Sequence, residues 1–115
     1  MLTLYGIKNC DTVKKAQRWL DENKIQYKFH DFRTDGLDKK LLAGWVESLG
    51  WEAIVNKRST TWRNLPDKDK AISTNTQAIT LLLANPTLIK RPVLQSNNIL
   101  LIGFKDSEYK NLKHH

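Results

Sequence analysis

A chain of 115 residues has room for one domain with one modest core, burying roughly two-thirds of the surface its unfolded form exposes. Hydrophobic residues make up 40% and charged residues 27%, the composition of a folded domain, and a single cysteine excludes an internal disulfide and a cysteine-based structural metal site. The net charge of +7 favours anionic partners, but the Lys and Arg residues are scattered, so a solvated surface explains most of them and direct nucleic-acid binding is not expected.

Residues 2–5, LTLY, lead into Gly6 and predict a short first strand. A loop then reaches Cys10. From Asp11 to Asn23, Val13, Ala16 and Leu20 recur at helical spacing with Trp19 beside them, and Asp11 and Thr12 offer capping groups at the start. IQYKFHDF, 25–32, alternates with Ile25, Tyr27 and Phe29 on one face and predicts a second strand, parallel to the first in a βαβ unit. After Asp35-Gly36 a helix follows in which Leu41, Leu42, Trp45, Val46 and Leu49 share one stripe until Gly50 ends it. WEAIV, 51–55, adds one helical turn, and NKRSTTWRNL, 56–65, reads as a polar loop running into another short helix. Thr74 caps a further helix that Asn85-Pro86 stops, with Ala78, Ile79, Leu82 and Leu83 facing a core. RPVLQ and NILLIG are two strands joined around SNN, and a last helix runs from Lys105 to about Lys113. The terminal His114 and His115 carry no functional weight. The longest apolar run, ITLLLA at 79–84, is far short of a membrane span, and MLTLYG is too short for the apolar stretch of a secretory signal, so a cytoplasmic location is expected; a monomer is expected as well.

The resulting order is β, α, β, a helical block, then β, β, α. With that order, YGIKNCDTVKKA (5–16), NKRSTTWRNL and LIKRPVL (88–94) resemble the arsenate reductase and Spx family (ArsC/Spx), nearest its YffB-like branch. The resemblance spans nearly the whole chain. It implies an α/β, thioredoxin-like fold in a single domain over 1–115: a four-stranded mixed sheet, with a helical insertion at about 36–86 between an N-terminal βαβ and a C-terminal ββα unit.

Cys10 stands between a strand end and a helix start, where backbone N–H groups and the helix dipole favour an anion. In such settings a thiol pKa falls from about 8.5 to roughly 3.5–7.5, and Lys8, Lys14 and Lys15 add positive charge nearby. The competing reading is a small buried hydrophobe, since a lone cysteine is among the most commonly buried residues. The resemblance favours the working thiol. It implies a cis Arg91-Pro92 bond beside the cysteine, with Pro92 shaping a groove for a peptide or glutathione, and an Arg91 guanidinium that grips an oxyanion or carboxylate. It also sets an arginine of NKRSTTWRNL over the cysteine, a role carried to Arg58 rather than Arg63. Thr12 either donates a hydroxyl hydrogen bond to the thiolate or caps the helix.

Two departures from the family pattern limit the chemistry. No arginine follows Arg91, whereas arsenate reductases of the family use a third arginine near the last strands, so arsenate reduction is the least favoured reading. CDTV has Val13 where Spx regulators carry the second cysteine of a CxxC switch. A Cys10 nucleophile would therefore need an external thiol to release it. Glutathione is the expected co-substrate, in a groove flanked by Arg58, Arg91 and Lys8, with an oxidised thiol or an oxyanion as substrate, no tightly bound cofactor and no metal. The sequence thus supports a glutathione-dependent monothiol reductase, with an Spx-like regulator that binds RNA polymerase as the alternative. Among the four tryptophans, Trp19, Trp45, Trp51 and Trp62, a core role suits Trp19 and Trp45 better than base stacking.

Overall fold

Strand β1 (Leu2–Gly6) extends one residue past LTLY, and helix α1 (Asp11–Glu22) follows after a short loop. The computed structural model describes residues 2–114, except for the side chains of Lys113 and His114; Met1 and His115 lie outside the described residues. Helix α1 buries Val13, Ala16 and Leu20, as their spacing predicts. Its N-cap is Cys10, not Asp11 or Thr12, and no side-chain cap bond closes there. Asp11 instead lies in the first turn, where a carboxylate suits the positive end of the helix dipole.

Strand β2 (Tyr27–Asp31) pairs with β1 in parallel, Leu4 opposite Phe29 and Gly6 opposite Asp31. It stops short of the predicted Phe32. The Asp31 side chain accepts the Arg33 N–H at 2.7 Å and caps a single helical turn, α2 (Phe32–Asp35), which buries Phe32. A capping hydrogen bond has won here over an alternating pattern that would have continued the strand.

Residues Leu37–Lys90 form one of two compact units; the other comprises Met1–Gly36 and Arg91–His115. The Leu37–Lys90 unit holds α3 (Lys39–Leu49), α4 (Trp51–Ile54), α5 (Thr60–Arg63), α6 (Asp67–Lys70), α7 (Asn75–Ala84) and a 3-10 turn, Pro86–Leu88. Its core is Leu42, Trp45, Val46, Ile54, Val55, Ala78, Leu82, Leu88 and Ile89, all buried. The stripe on α3 is narrower than predicted, because Leu49 is 39% exposed. Ile79 and Leu83 are likewise only half-buried. Helix α7 starts in a capping box: Gln77 N–H donates to Thr74 Oγ1 at 3.2 Å, and Thr74 N–H to Gln77 Oε1 at 3.3 Å. The second half of NKRSTTWRNL is helical, since Ser59 Oγ accepts the Trp62 N–H at 3.2 Å and starts α5.

Strands β3 (Val93–Gln95) and β4 (Leu100–Ile102) make the hairpin that RPVLQ and NILLIG predict, closed by Ser96 N–H to the Ile99 carbonyl at 2.9 Å. The four-stranded mixed sheet has the order β2-β1-β3-β4, with only the β1–β2 pair parallel. Helix α8 (Asp106–Tyr109) then gives way to a 3-10 stretch, Lys110–His114, where one continuous helix was expected. The buried residues there, Tyr109 and Leu112, are three apart, and a 3-10 turn eclipses such a pair on one side. Both join Leu4, Val13, Ala16, Leu20 and Leu94 in one hydrophobic cluster, on which Cys10, Trp19 and Phe104 also pack. Tyr109 is its aromatic centre, edge-on to Trp19 at 5.5 Å and to Phe104 at 4.7 Å.

Gly6 on β1 approaches Val13 on α1 closely. A Cβ on Gly6 would lie 2.7 Å from Val13 Cγ2, and Val13 is a stiff β-branched side chain that is itself buried. Gly6→Ala is therefore expected to destabilise the fold by about 1–3 kcal/mol, the usual cost of overpacking, read as a lower urea midpoint. An unchanged midpoint would mean that the two elements separate freely.

Candidate active site

The loop from Gly6 to Cys10 is held from both sides. Asn9 adopts the left-handed backbone region, φ 68°, which asparagine tolerates better than most residues. On the other side, Lys8 N–H donates to Asp31 Oδ2 at 3.1 Å. The same carboxylate caps α2, so Asp31 ties the Cys10 loop to the end of β2. Burial pushes its pKa up, but the N–H groups of Arg33, Lys8 and Thr34 and the charge of Lys8 outweigh this and hold it below the usual carboxylate value. The sequence pattern does not single out Asp31, because FHDF continues the alternation of β2. The visible signal was an aspartate two residues before the N–H it caps.

Cys10 is half-buried, with extended backbone as the N-cap of α1. Burial pushes its pKa up. The Val13 N–H, a hydrogen bond from Arg91, the Arg91 charge and the Thr12 N–H together outweigh burial, and the thiol lies below its ordinary value. The backbone groups act here as oriented dipoles rather than as a closed capping bond, because the sulfur makes no side-chain cap bond of full geometry.

Arg91 and Pro92 immediately precede β3, and the bond between them is cis. The Pro92 carbonyl accepts the Gly103 N–H at 2.8 Å. Thr12 contributes to the thiol through its backbone N–H, not by capping the helix with its side chain. Lys8 is exposed, and its charge acts on Asp31. Cys10, Thr12, Arg91, Pro92 and Lys8 thus belong to one unit. Arg58 belongs to the other. There its N–H donates to Asn56 Oδ1 at 3.1 Å and its carbonyl accepts from Arg63 Nη2 at 3.1 Å. The segment that carries Arg58 is anchored by Asn56 N–H to the Leu88 carbonyl at 2.7 Å and by a hydroxyl contact between Thr61 and Thr87 at 2.9 Å. Next to Arg58, Lys57 Nζ lies 5.4 Å from the Trp51 ring centre and 5.6 Å from that of Trp62. Those two indoles therefore make cation–π contacts, whereas Trp45 is core and Trp19 packs on Tyr109. Among the described residues, no group of three or more His, Cys, Asp or Glu is placed to hold a metal ion.

The sheet order, the thiol at the start of the first helix and the cis-proline at the start of the third strand put the protein in the thioredoxin-like class. Within that class the chain belongs to the ArsC family, whose sequence model matches residues 5–112. It is 52% identical over 110 residues to an uncharacterised protein of Haemophilus influenzae, covering 96% of each chain. It is 30% identical over 114 residues to the global transcriptional regulator Spx of Streptococcus mutans, covering 96% of this chain and 81% of the regulator. The solved structure of a YFFB protein superimposes with a TM-score of 0.92 at 45% identity, covering 96% of each chain.

Arg91 supplies both a hydrogen bond and a positive charge to Cys10. Removing them in Arg91→Ala leaves burial less opposed, so the pH midpoint of Cys10 alkylation is expected to rise, with alkylation several-fold slower on the acid side of that midpoint. Mass-spectrometric alkylation profiles of the two proteins check this. A midpoint that stays in place would remove Arg91 from the thiol's electrostatics.

Proposed function

We propose that the protein is a glutathione-dependent monothiol reductase with Cys10 as its nucleophile. The observation that carries this reading is a thiol whose pKa stays low against its own partial burial, through Arg91 and the α1 backbone, since the thiolate is the attacking form. The thiolate attacks the glutathionyl sulfur of a mixed disulfide. A Cys10–glutathione disulfide forms, the substrate's S–S bond breaks, and the substrate leaves as a thiolate that takes a proton from water. A second glutathione, as thiolate, then attacks the glutathionyl sulfur on Cys10. Glutathione disulfide departs and the Cys10 thiolate returns, so a mixed disulfide plus glutathione becomes a free thiol plus glutathione disulfide. An external thiol is required because the chain has no second cysteine.

Glutathione carries two carboxylates and one ammonium group, and a guanidinium pairs with a carboxylate bidentately. Arg91 is the anion binder, with Lys8 adding charge, Thr12 a donor and Pro92 a wall of the groove. An oxyanion substrate fits less well, since no arginine follows Arg91. A cytoplasmic setting suits the reaction, because glutathione is abundant there; among the described residues no helix is long and apolar enough to cross a membrane. Incubation with a glutathionylated peptide and glutathione is expected to release the peptide thiol and to give a Cys10–glutathione adduct visible by intact mass. Cys10→Ser is expected to lose both. Peptide release that survives in Cys10→Ser would sink the reading.

The 30% identity to an Spx regulator supports a second reading, in which the chain docks on RNA polymerase without catalysis. With Val13 at the place of the second cysteine, such docking would not be switched by an internal disulfide. A pull-down against polymerase subunits separates the readings. Retention that persists in Cys10→Ser favours docking, and no retention removes it.

A further inference from the structure

We infer that Asp31 is a positioning residue for the Cys10 thiol: its carboxylate pins the loop before Cys10 to the end of β2 and so fixes the sulfur at the start of α1 beside Arg91. This role rests on the reductase reading.

The Asp31 carboxylate accepts hydrogen bonds on both oxygens. Oδ1 accepts the Arg33 N–H at 2.7 Å, and Oδ2 accepts the Lys8 N–H at 3.1 Å. The α2 cap needs only one oxygen, and a serine or threonine would supply it. The second oxygen reaches the loop, at Lys8. Asp31 is 4% exposed, the one polar or charged residue buried among the described residues, and burying a charge is costly unless it is fully hydrogen-bonded. That burial is hard to explain by a four-residue helical turn. It is explained if the Lys8 bond holds a segment whose shape matters.

The geometry shows what is held. Gly6 stands opposite Asp31 in the β1–β2 register, and Gly6 also bears against Val13 on α1. The chain from Gly6 to Cys10 is thus clamped at Lys8 by Asp31 and at Gly6 by packing, with the left-handed turn at Asn9 between Lys8 and Cys10. Loosening Lys8 would let Asn9 and Cys10 move away from the Val13 and Thr12 N–H groups and from Arg91.

The sign of the effect distinguishes positioning from simple charge. As a bare negative charge, Asp31 would disfavour the Cys10 thiolate, and its removal would move the alkylation midpoint down. As a positioning group it favours the thiolate, and its removal moves the midpoint up.

Two variants make the test. Asp31→Asn retains one acceptor oxygen, and Asp31→Ser retains the α2 cap but is too short to reach both N–H groups, so the serine variant guards against loss of α2. Each is checked for a native circular dichroism spectrum and for hydrogen exchange at the Lys8 amide, with Leu4 as the core reference. The expected result is faster exchange at Lys8 than in the parent, an unchanged Leu4 amide, an upward move of the Cys10 midpoint, and alkylation slower by about three- to tenfold on its acid side, the factor that half to one unit of thiol pKa produces. A midpoint that stays in place or moves down in folded variants overturns the role of Asp31 and leaves the reductase reading intact. A parent protein whose thiol titrates in the ordinary range overturns that reading, and this role with it.

Discussion

The approach of Gly6 to Val13 governs where the cysteine can be. With 2.7 Å between Val13 Cγ2 and the place a Gly6 Cβ would occupy, the end of β1 and the first turn of α1 are pressed together. Only residues 7–9 are left to connect them. Ile7 is buried, Lys8 is tied through its N–H to Asp31, and Asn9 turns left-handed. A connection so short and so fully restrained leaves Cys10 no position other than the N-cap. The helix dipole and the free N–H groups of the first turn then meet the sulfur as a consequence of packing.

The two readings of the lone cysteine turn out to describe opposing contributions to one pKa. Cys10 packs on the Leu4–Val13–Leu94 cluster, and that burial favours the neutral thiol. Arg91 and the Val13 and Thr12 N–H groups favour the thiolate, and they prevail. The magnitudes make this reasonable. A hydrogen bond to a charged partner is worth about 1.5–3 kcal/mol, and one pKa unit is about 1.4 kcal/mol. Even after solvent screening at a half-exposed site, the guanidinium and the two backbone N–H groups together reverse the burial penalty. Arg91 is available for this because it lies two residues before β3, which pairs directly with β1.

What the sequence disclosed followed from the length of its patterns. Helices α1, α3 and α7 were legible because several turns repeat the same apolar spacing, β1 because a short alternating run ends at Gly6, and β3 and β4 because two short apolar runs flank the turn residues SNN. Single hydrogen bonds were not legible where a longer pattern masked them. FHDF alternates like a strand, yet one side-chain bond from Asp31 turns the chain into α2. STTWR is polar like a loop, yet Ser59 caps a helical turn within it. At the start of α1 the capping residue was misplaced by one or two positions, onto Asp11 and Thr12 instead of Cys10. The cis bond at Arg91-Pro92 has no signature in composition or periodicity, and it was reachable only through resemblance.

Val13 connects the packing to the chemistry. It fills the cluster beneath α1 and lies close against Gly6. It also stands three residues after Cys10, at the place of the second cysteine in a CxxC pair. Because Val13 is almost fully buried, a thiol there would sit inside the core, so the fold has given this position to packing. Under the reductase reading the missing thiol must then arrive from solution and reach the same sulfur that met the substrate. That requirement accounts for the partial exposure of Cys10: complete burial would favour an inert neutral thiol, and complete exposure would weaken the Arg91 interaction through screening. Half-burial keeps the thiolate stabilised and lets a second thiol approach.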